Sequence, residues 1–505
     1  MRTKKKITKF VPIQSNPLVS AMQVQSNFIF TENGAKTNAS TLSSILDFFG
    51  AAGAIRSRTE DDVIKLFSKA FSEDRLLATK ILFYIRDIRN GQGEKKTFKT
   101  CIKWLAQNYP DVARKNLVNI GEYGRYDDLY SFVNTPLESE MFELISSQLQ
   151  SDVQNMKDGK SVSLIGKWLK SENTSSKESC ELGQKTRKAL KMSSKQYRKM
   201  LSALRNHINV IETKMCSGDW KSINFERVPS KASMLYRKAF GKHDQERYAA
   251  YLKSVEKGEA KMNAGAIYPY EIMRSVIGGG SDAQAILQAD LQWKSMPNWL
   301  EGNEHNGLVI ADVSGSMMSN DGLPLLISVS LALYFSERNV GPFKDCWLNF
   351  SSTPMFQKFI GNNIFEKYHN MNKSNWSQST NLQAAFDLIL DSAIKNKVAQ
   401  KDMVNVLYVV SDMEHNIACE NNDKTNFELI REKFTNSGYE LPRVVWWNVN
   451  ARNDNFPIRA DETGTALVSG ASPSILKSLL SAKSFDPMSV VYETVNKARY
   501  DKVVV

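Results

Sequence analysis

The chain has 505 residues, 42% of them hydrophobic and 24% charged, with a formal net charge of +12 at pH 7. That length predicts two or three domains, and the composition excludes a disordered or membrane-embedded chain. Five separated cysteines (Cys101, Cys180, Cys216, Cys346, Cys419) offer neither zinc-ribbon spacing nor an even disulfide framework, which argues for a reducing, cytoplasmic setting.

The charge is uneven. Residues 1–300 hold 47 Lys and Arg against 31 Asp and Glu, and residues 301–505 hold 19 against 23. A polyanionic partner is therefore expected on the N-terminal part. No membrane is expected: the uncharged run 11–31 is interrupted by Gln14, Ser15, Asn16, Gln23, Gln25 and Asn27, and the run 322–336 is flanked by Asp321 and Glu337 and too short to span.

In chain order, residues 1–40 show no periodicity and are expected as an extended N-terminal arm. Residues 41–300 read as a basic all-α helical-repeat domain, HEAT-like in character. Val63, Ile64, Phe67 and Phe71 mark one apolar helix face, Leu77, Ile81, Tyr84, Ile85 and Ile88 a second, and Phe98, Ile102, Leu105 and Tyr109 a third. Gly91 and Gly93 break the chain between the second and third. A further helix from near Ser194 carries Tyr197, Leu201, Leu204, Ile208, Ile211 and Met215 on one face. A connector at Gly278–Ser281 leads to a helix at about 282–295, whose Ala285, Ile286, Leu287, Leu291 and Trp293 predict packing between the two halves rather than a flexible tether.

Residues 301–505 change texture. Strands at 308–312, 346–350, 355–360, 405–411 and 443–449 alternate with helices at 324–338, 380–395 and 425–436, the pattern of a doubly wound, Rossmann-like α/β domain. The first strand runs into Asp312-x-Ser314-x-Ser316, the run Val406–Val410 ends in Ser411-Asp412, and Ser379-Thr380-Asn381 opens a helix. The triplet alone is equally ordinary capping and turn chemistry. Three elements converging at the carboxyl edge of one sheet instead predict a hard-oxygen site for Mg²⁺ or Mn²⁺.

This pattern resembles the metal-ion-dependent adhesion site of von Willebrand A domains, Asp-x-Ser-x-Ser followed by Thr and then Asp. The resemblance implies that Ser314, Ser316 and Thr380 contact the ion and that Asp312 and Asp412 hold it directly or through water. It also implies a site that binds an acidic group on a protein partner rather than a hydrolytic centre.

Residues 185–205 are rich in cations, and on the helix from Ser194 the residues Lys195, Arg198, Lys199 and Arg205 fall opposite the apolar face. Such a stripe either tracks a phosphate backbone or is a solvated charged face. The candidate RNA contacts are Arg86, Arg89, Lys95, Lys96, Lys167, Lys170, Lys188, Lys191, Lys195, Arg198, Lys199 and Arg205. Three stretches, residues 84–94, 124–129 and 199–205, together with the adhesion-type motif, resemble the TROVE-related families. Those comprise the Ro autoantigen proteins and less-studied relatives in bacteria, phages and plants, to which these stretches look closer. The resemblance implies helical repeats forming a ring closed by the A domain, with small non-coding or misfolded RNA, structured or at its ends, as partner.

Other signals are bland. Gly91-x-Gly93 reads as a helix stop, Gly278–Gly280 lacks a P-loop lysine, and the five histidines show no ligand spacing. Arg125, Asp127 and Asp128 read as a helix start with acids at its positive end. No nucleophile–base pair is present, so no catalytic residue is assigned. The expected function is a non-catalytic ribonucleoprotein scaffold; the alternative is a protein-interaction adaptor whose metal captures an acidic ligand without RNA.

Overall fold

The computed structural model describes residues 17–278, 282–302, 306–350, 353–373, 381–416, 424–482 and 484–505. Strands are numbered β1 to β8 in chain order, and helices are named by their residues.

From Ser44 to Lys294 every regular element described is helical. Local chemistry sets several starts: the side chains of Ser43, Thr59 and Asp74 accept the N–H groups of Leu46, Asp62 and Leu77, satisfying donors that the first turn leaves orphaned. The helices Glu60–Glu73, Arg75–Arg86 and Lys96–Asn108 bury the expected faces. Val63, Phe67 and Phe71, then Leu77, Ile81, Tyr84 and Ile85, then Phe98, Ile102 and Leu105 lie in one core.

Two local expectations fail. The helix Ser194–His207 does not continue through Ile211 and Met215: Asn209 turns the chain with a φ of +57°, and Ile211–Ser217 starts afresh. Asparagine tolerates that left-handed geometry, and Ile211 joins a separate small core with Phe225, Phe240, Tyr248 and Leu252. Nor does a glycine cap Arg75–Arg86, which ends at Asp87. A Cβ on Gly91 would lie 2.0 Å from the Tyr84 carbonyl oxygen, so the glycine permits the chain to fold back over the helix end.

The α/β half holds β3 (Gly307–Asp312), β4 (Cys346–Phe350), β5 (Phe356–Lys358), β6 (Val406–Ser411), β7 (Arg443–Asn448) and β8 (Thr465–Ser469), in the order β5-β4-β3-β6-β7-β8. All neighbours are parallel except β5, which runs antiparallel to β4. The central strands β3 and β6 are buried at every position, which is why they read as continuous apolar runs. The helix Ser319–Arg338 contains non-helical Asn320, Asp321 and Gly322, so regular turns begin near Pro324, where the spacing placed them. β8 and the helices Ile364–Asn372, Leu476–Ser481 and Pro487–Val495 were not anticipated.

The expected extended arm is, in its described part, a helix Pro17–Ser26 and a hairpin of β1 (Phe28–Phe30) and β2 (Lys36–Asn38). Three-residue strands are too short to show a period. The hairpin bridges the α/β half at Gly34–Asn416 and Asn38–Phe456. Behind it the helix Ser44–Ala52 lies on β8: the Gly53 N–H donates to Ser469 Oγ at 3.0 Å, and that hydroxyl donates to the Phe49 carbonyl at 3.0 Å. Residues of the first helical turns thus pack with the sheet.

The C-terminal tail crosses the other way, with Asn116 Nδ2 donating to Val504 O at 2.6 Å and Asn119 Nδ2 to Lys502 O at 3.0 Å. At the far end of the helical portion, Ala283–Lys294 docks on the α/β half: Trp293 Nε1 donates to Glu337 at 2.5 Å and Arg338 to the Trp293 carbonyl at 2.8 Å. The helical portion therefore meets the α/β half at both its ends, and one hydrophobic core runs through the two. The connector residues 279–281 lie outside the described residues. No helix among the described residues is long and apolar enough to cross a membrane.

Candidate metal centre and basic face

The carboxyl ends of β3 and β6, adjacent parallel strands, bring Asp312 and Asp412 together. Both side chains are buried. Asp312 Oδ1 accepts the Ser314 N–H at 2.9 Å, the Asx turn that starts the Asp-x-Ser-x-Ser loop, and the Ser314 and Ser316 hydroxyls lie 3.1 Å apart. Asp312 Oδ2 is buried with no hydrogen-bond partner among the described residues. Burial, and then the charge of Asp412, push the Asp312 carboxyl up to about 7. A buried carboxylate oxygen with no donor among the described residues, near enough to a second carboxylate to feel its charge, is costly unless a cation completes it.

Among the described residues no group of three or more His, Cys, Asp or Glu side chains could hold a metal. Any ion here must draw on the serine hydroxyls as well, a donor set that fits a hard divalent cation. Thr380 lies outside the described residues. The helix it was expected to open begins at Leu382, with the Asn381 side chain accepting the Ala384 N–H at 3.0 Å.

Sequence reasoning missed the ring of charge around Asp412. Asp412 Oδ1 accepts the Glu414 N–H at 3.2 Å, helped by a φ of +65° at Met413, and Oδ2 accepts Arg452 Nη2 at 2.9 Å. Arg452 also reaches Glu32 in the β1–β2 turn. Burial raises the Glu414 carboxyl above its usual value. Arg452 follows the carboxyl end of β7, so its place at the ligand edge of the sheet was a legible signal; Glu32, more than 400 residues from its partner, was not.

The twelve candidate RNA cations divide. Arg86 is buried and paired to Asp128 at 2.7 Å, so it is no surface contact. This also revises Asp128, which is an ion-pair partner and not merely an acid at a helix start. Arg205 gives its three nitrogens to Gly166 O, Ser171 Oγ and Leu169 O, between 2.9 and 3.0 Å. Lys96 donates to the carbonyls of Arg56 and Arg58, Arg89 to that of Glu122, and Lys95 pairs with Asp127. Arg86 and Arg205 are thus committed to the fold, and Arg89, Lys95 and Lys96, although Arg89 and Lys96 are exposed, are engaged with backbone carbonyls or an acid. Lys167 is half-buried with its ammonium 5.4 Å from the Trp168 ring centroid, and Lys170 is half-buried nearby.

The remaining five, Lys188, Lys191, Lys195, Arg198 and Lys199, are exposed. They sit on the helices Lys177–Ala189 and Ser194–His207 and the turn between them. None belongs to an ion pair among the described residues. Beside them lies a cavity of about 310 Å³ lined by Ser171, Glu172, Asn173, Tyr197, Arg198 and Arg205.

Comparison with known proteins follows the same division. Residues 31–141 and 162–303 match the family described as domain of unknown function DUF2828, and residues 306–503 match domain of unknown function DUF7788. Uncharacterized protein L728 of Acanthamoeba polyphaga mimivirus is 31% identical over 504 residues, covering 92% of this chain and 87% of that one. Among solved structures the chain is similar to the Deinococcus radiodurans RO (RSR) protein, at 12% identity and a TM-score of 0.48, over 90% of this chain and 100% of that one. With its helical portion and its α/β half each matched in order, and a relative aligned over nearly its whole length, the chain belongs to the DUF2828 family and carries a DUF7788 domain after it.

Proposed function

We propose that the chain is a non-catalytic, cytoplasmic RNA-binding scaffold of Ro type. In this reading its α/β half binds Mg²⁺, or Mn²⁺, through Asp312, Ser314, Ser316, Thr380 and Asp412, and offers that metal to an acidic group on a protein partner. The observation that carries the RNA reading is the cluster of five exposed cations, Lys188, Lys191, Lys195, Arg198 and Lys199, on one pair of helices and the turn between them, none in an ion pair among the described residues. Cations fixed on packed helices, and not spent on neighbouring acids, are what a phosphate backbone requires. The free cysteines Cys101, Cys180, Cys216 and Cys346 suit a reducing compartment.

Purified full-length protein tests this directly. Co-purifying nuclease-sensitive material, and binding of a small structured RNA that falls steeply with salt, support the scaffold. Protein free of nucleic acid, with no salt-dependent affinity for RNA, removes it.

A second reading, the protein-interaction adaptor, is favoured by Met318, which is 61% exposed two residues after Ser316. An apolar side chain held out beside a metal loop suits a protein surface better than a nucleic acid. Metal-dependent capture of an acidic peptide by RNA-free protein would select it.

A further inference from the structure

The surroundings of Asp412 do more than complete a cation site. The β1–β2 turn is strapped across the end of β6: Thr31 Oγ1 donates to the His415 carbonyl at 2.7 Å, Asn33 Nδ2 to the Glu414 carbonyl at 2.6 Å, and the Glu32 N–H to Glu414 Oε2 at 2.8 Å. Arg452 ties this strap to the candidate site. Its Nη1 donates to Glu32 Oε1 and Oε2 at 3.1 and 2.9 Å while its Nη2 holds Asp412 Oδ2 at 2.9 Å. Asn453 Nδ2 spans Glu32 and Glu414 at 2.9 and 2.8 Å.

Two carboxylates, Asp412 and Glu32, therefore share one guanidinium, with the Glu414 carboxylate tied to Glu32 through Asn453. The Nε of that guanidinium is itself buried with no partner among the described residues, so among them Arg452 is held chiefly by its two carboxylates. Asp412 is the contested group, because both its oxygens already accept hydrogen bonds. A dication that draws on Asp412 repels the guanidinium on the same carboxylate and replaces its charge.

Resting on the metal reading above, we propose that Arg452 couples the metal site to the N-terminal strap. Arg452 is the internal counter-cation of the metal-free state. A divalent cation displaces it from Asp412 and thereby loosens residues 31–33. Because coupling between two sites is reciprocal, anything that frees the strap must also favour the metal. The strap's remaining attachments at Gly34–Asn416 and Asn38–Phe456 confine the loosening to the turn.

The experiment uses full-length protein, Mn²⁺ titration calorimetry, and hydrogen exchange of residues 28–36 with and without Mn²⁺. In the wild type, Mn²⁺ speeds exchange in this segment. Arg452→Gln tightens Mn²⁺ binding roughly fivefold or more and leaves the strap fast in either state. Asn33→Ala changes no charge, so a purely electrostatic role for Arg452 leaves its Mn²⁺ affinity unaltered, whereas the coupling requires it to bind more tightly. Absence of Mn²⁺ binding by the wild type overturns the metal site and the coupling together. Mn²⁺ binding with metal-independent strap exchange and unchanged affinity in Asn33→Ala overturns the coupling alone. Weaker binding by Arg452→Gln also overturns it, making Arg452 a group that orients Asp412 for the ion.

Discussion

Asp87 and Arg499, 412 positions apart, form a two-pronged ion pair: Nη2 donates to Oδ1 at 2.7 Å, Nε reaches Oδ2, and the Tyr500 hydroxyl adds a donor to Oδ2 at 3.0 Å. Asp87 is wholly buried, and Tyr123 donates to the Arg499 carbonyl beside it. The stretch Tyr84–Glu94 thereby holds the C-terminal tail through Asp87 while its Arg86 holds Asp128. The stretch that drew attention for its cations thus supplies, through Asp87, the latch to the C-terminal tail, while its Arg86 is spent on an ion pair within the helical portion.

Arg499→Met leaves Asp87 buried without its cation, and loss of one partner of such a pair costs about 3 kcal/mol or more. Denaturant unfolding should show that loss, together with earlier proteolysis after residue 497. Stability within error of wild type would mean that the tail is not held through this pair.

The exposed cations should behave in the opposite way. Lys195→Glu with Lys199→Glu should leave the unfolding midpoint nearly unchanged, since surface changes of this kind stay within about 0.5 kcal/mol. RNA affinity should fall, and the salt dependence should shrink by roughly 0.7–0.9 in log–log slope per phosphate contact removed. Arg86→Met should do the reverse, unfolding the protein readily while its folded fraction binds RNA normally. Equal RNA loss in both variants at matched folded fraction would restore Arg86 to the interface.

How much the sequence disclosed follows from physics of range. β3 and β6 were legible because central parallel strands are apolar throughout, and Asp312 and Asp412 because each closes such a run. Arg86 was misassigned because a cation's role depends on whether an acid meets it, and Asp128 is 42 positions away. Glu32 was invisible for the same reason on a larger scale. Lys195, Arg198 and Lys199 were legible because amphipathic spacing on the helix from Ser194 puts them opposite Tyr197, Leu201 and Leu204, which are buried.

Asp312 gives a pH dependence with a defined sign. Its carboxyl lies near 7 in the folded chain against an ordinary 3.8, so between those values the folded state holds a proton that the unfolded state has lost. Metal-free stability from this group is therefore full below about pH 4 and is lost as pH rises through about 7. A bound cation needs the carboxylate and reverses the trend. Asp312→Asn in EDTA should be more stable than wild type at pH 8, flatter between pH 5 and 8, and unresponsive to Mn²⁺. Thermal unfolding in EDTA and in Mn²⁺ at both pH values measures this; a variant that keeps the wild-type pH slope, or its Mn²⁺ stabilisation, would falsify the assignment.

The seating of Ser44–Ala52 on β8 can be tested without touching any charge. At Gly53 a Cβ would lie 2.8 Å from the Ser469 carbonyl oxygen and 3.0 Å from Gly470 Cα, backbone atoms at the end of β8 that cannot step aside as a side chain can. Its φ of −74° is ordinary, so alanine adds no torsional strain and the whole cost is steric. Gly50 is the comparison: a Cβ there meets the Leu467 side chain at 2.4 Å, which can change rotamer, although Leu467 is itself buried. Gly53→Ala should cost about 1–3 kcal/mol, as overpacking does, and Gly50→Ala no more than that. Because β8 is separated from β3 by β6 and β7, neither should change Mn²⁺ affinity by more than about twofold, since distant sites act independently. Unfolding midpoints and calorimetry of the two variants check both halves. A Gly53→Ala protein as stable as wild type would mean that the helix rides further from β8 than the 3.0 Å bond between Gly53 and Ser469 allows.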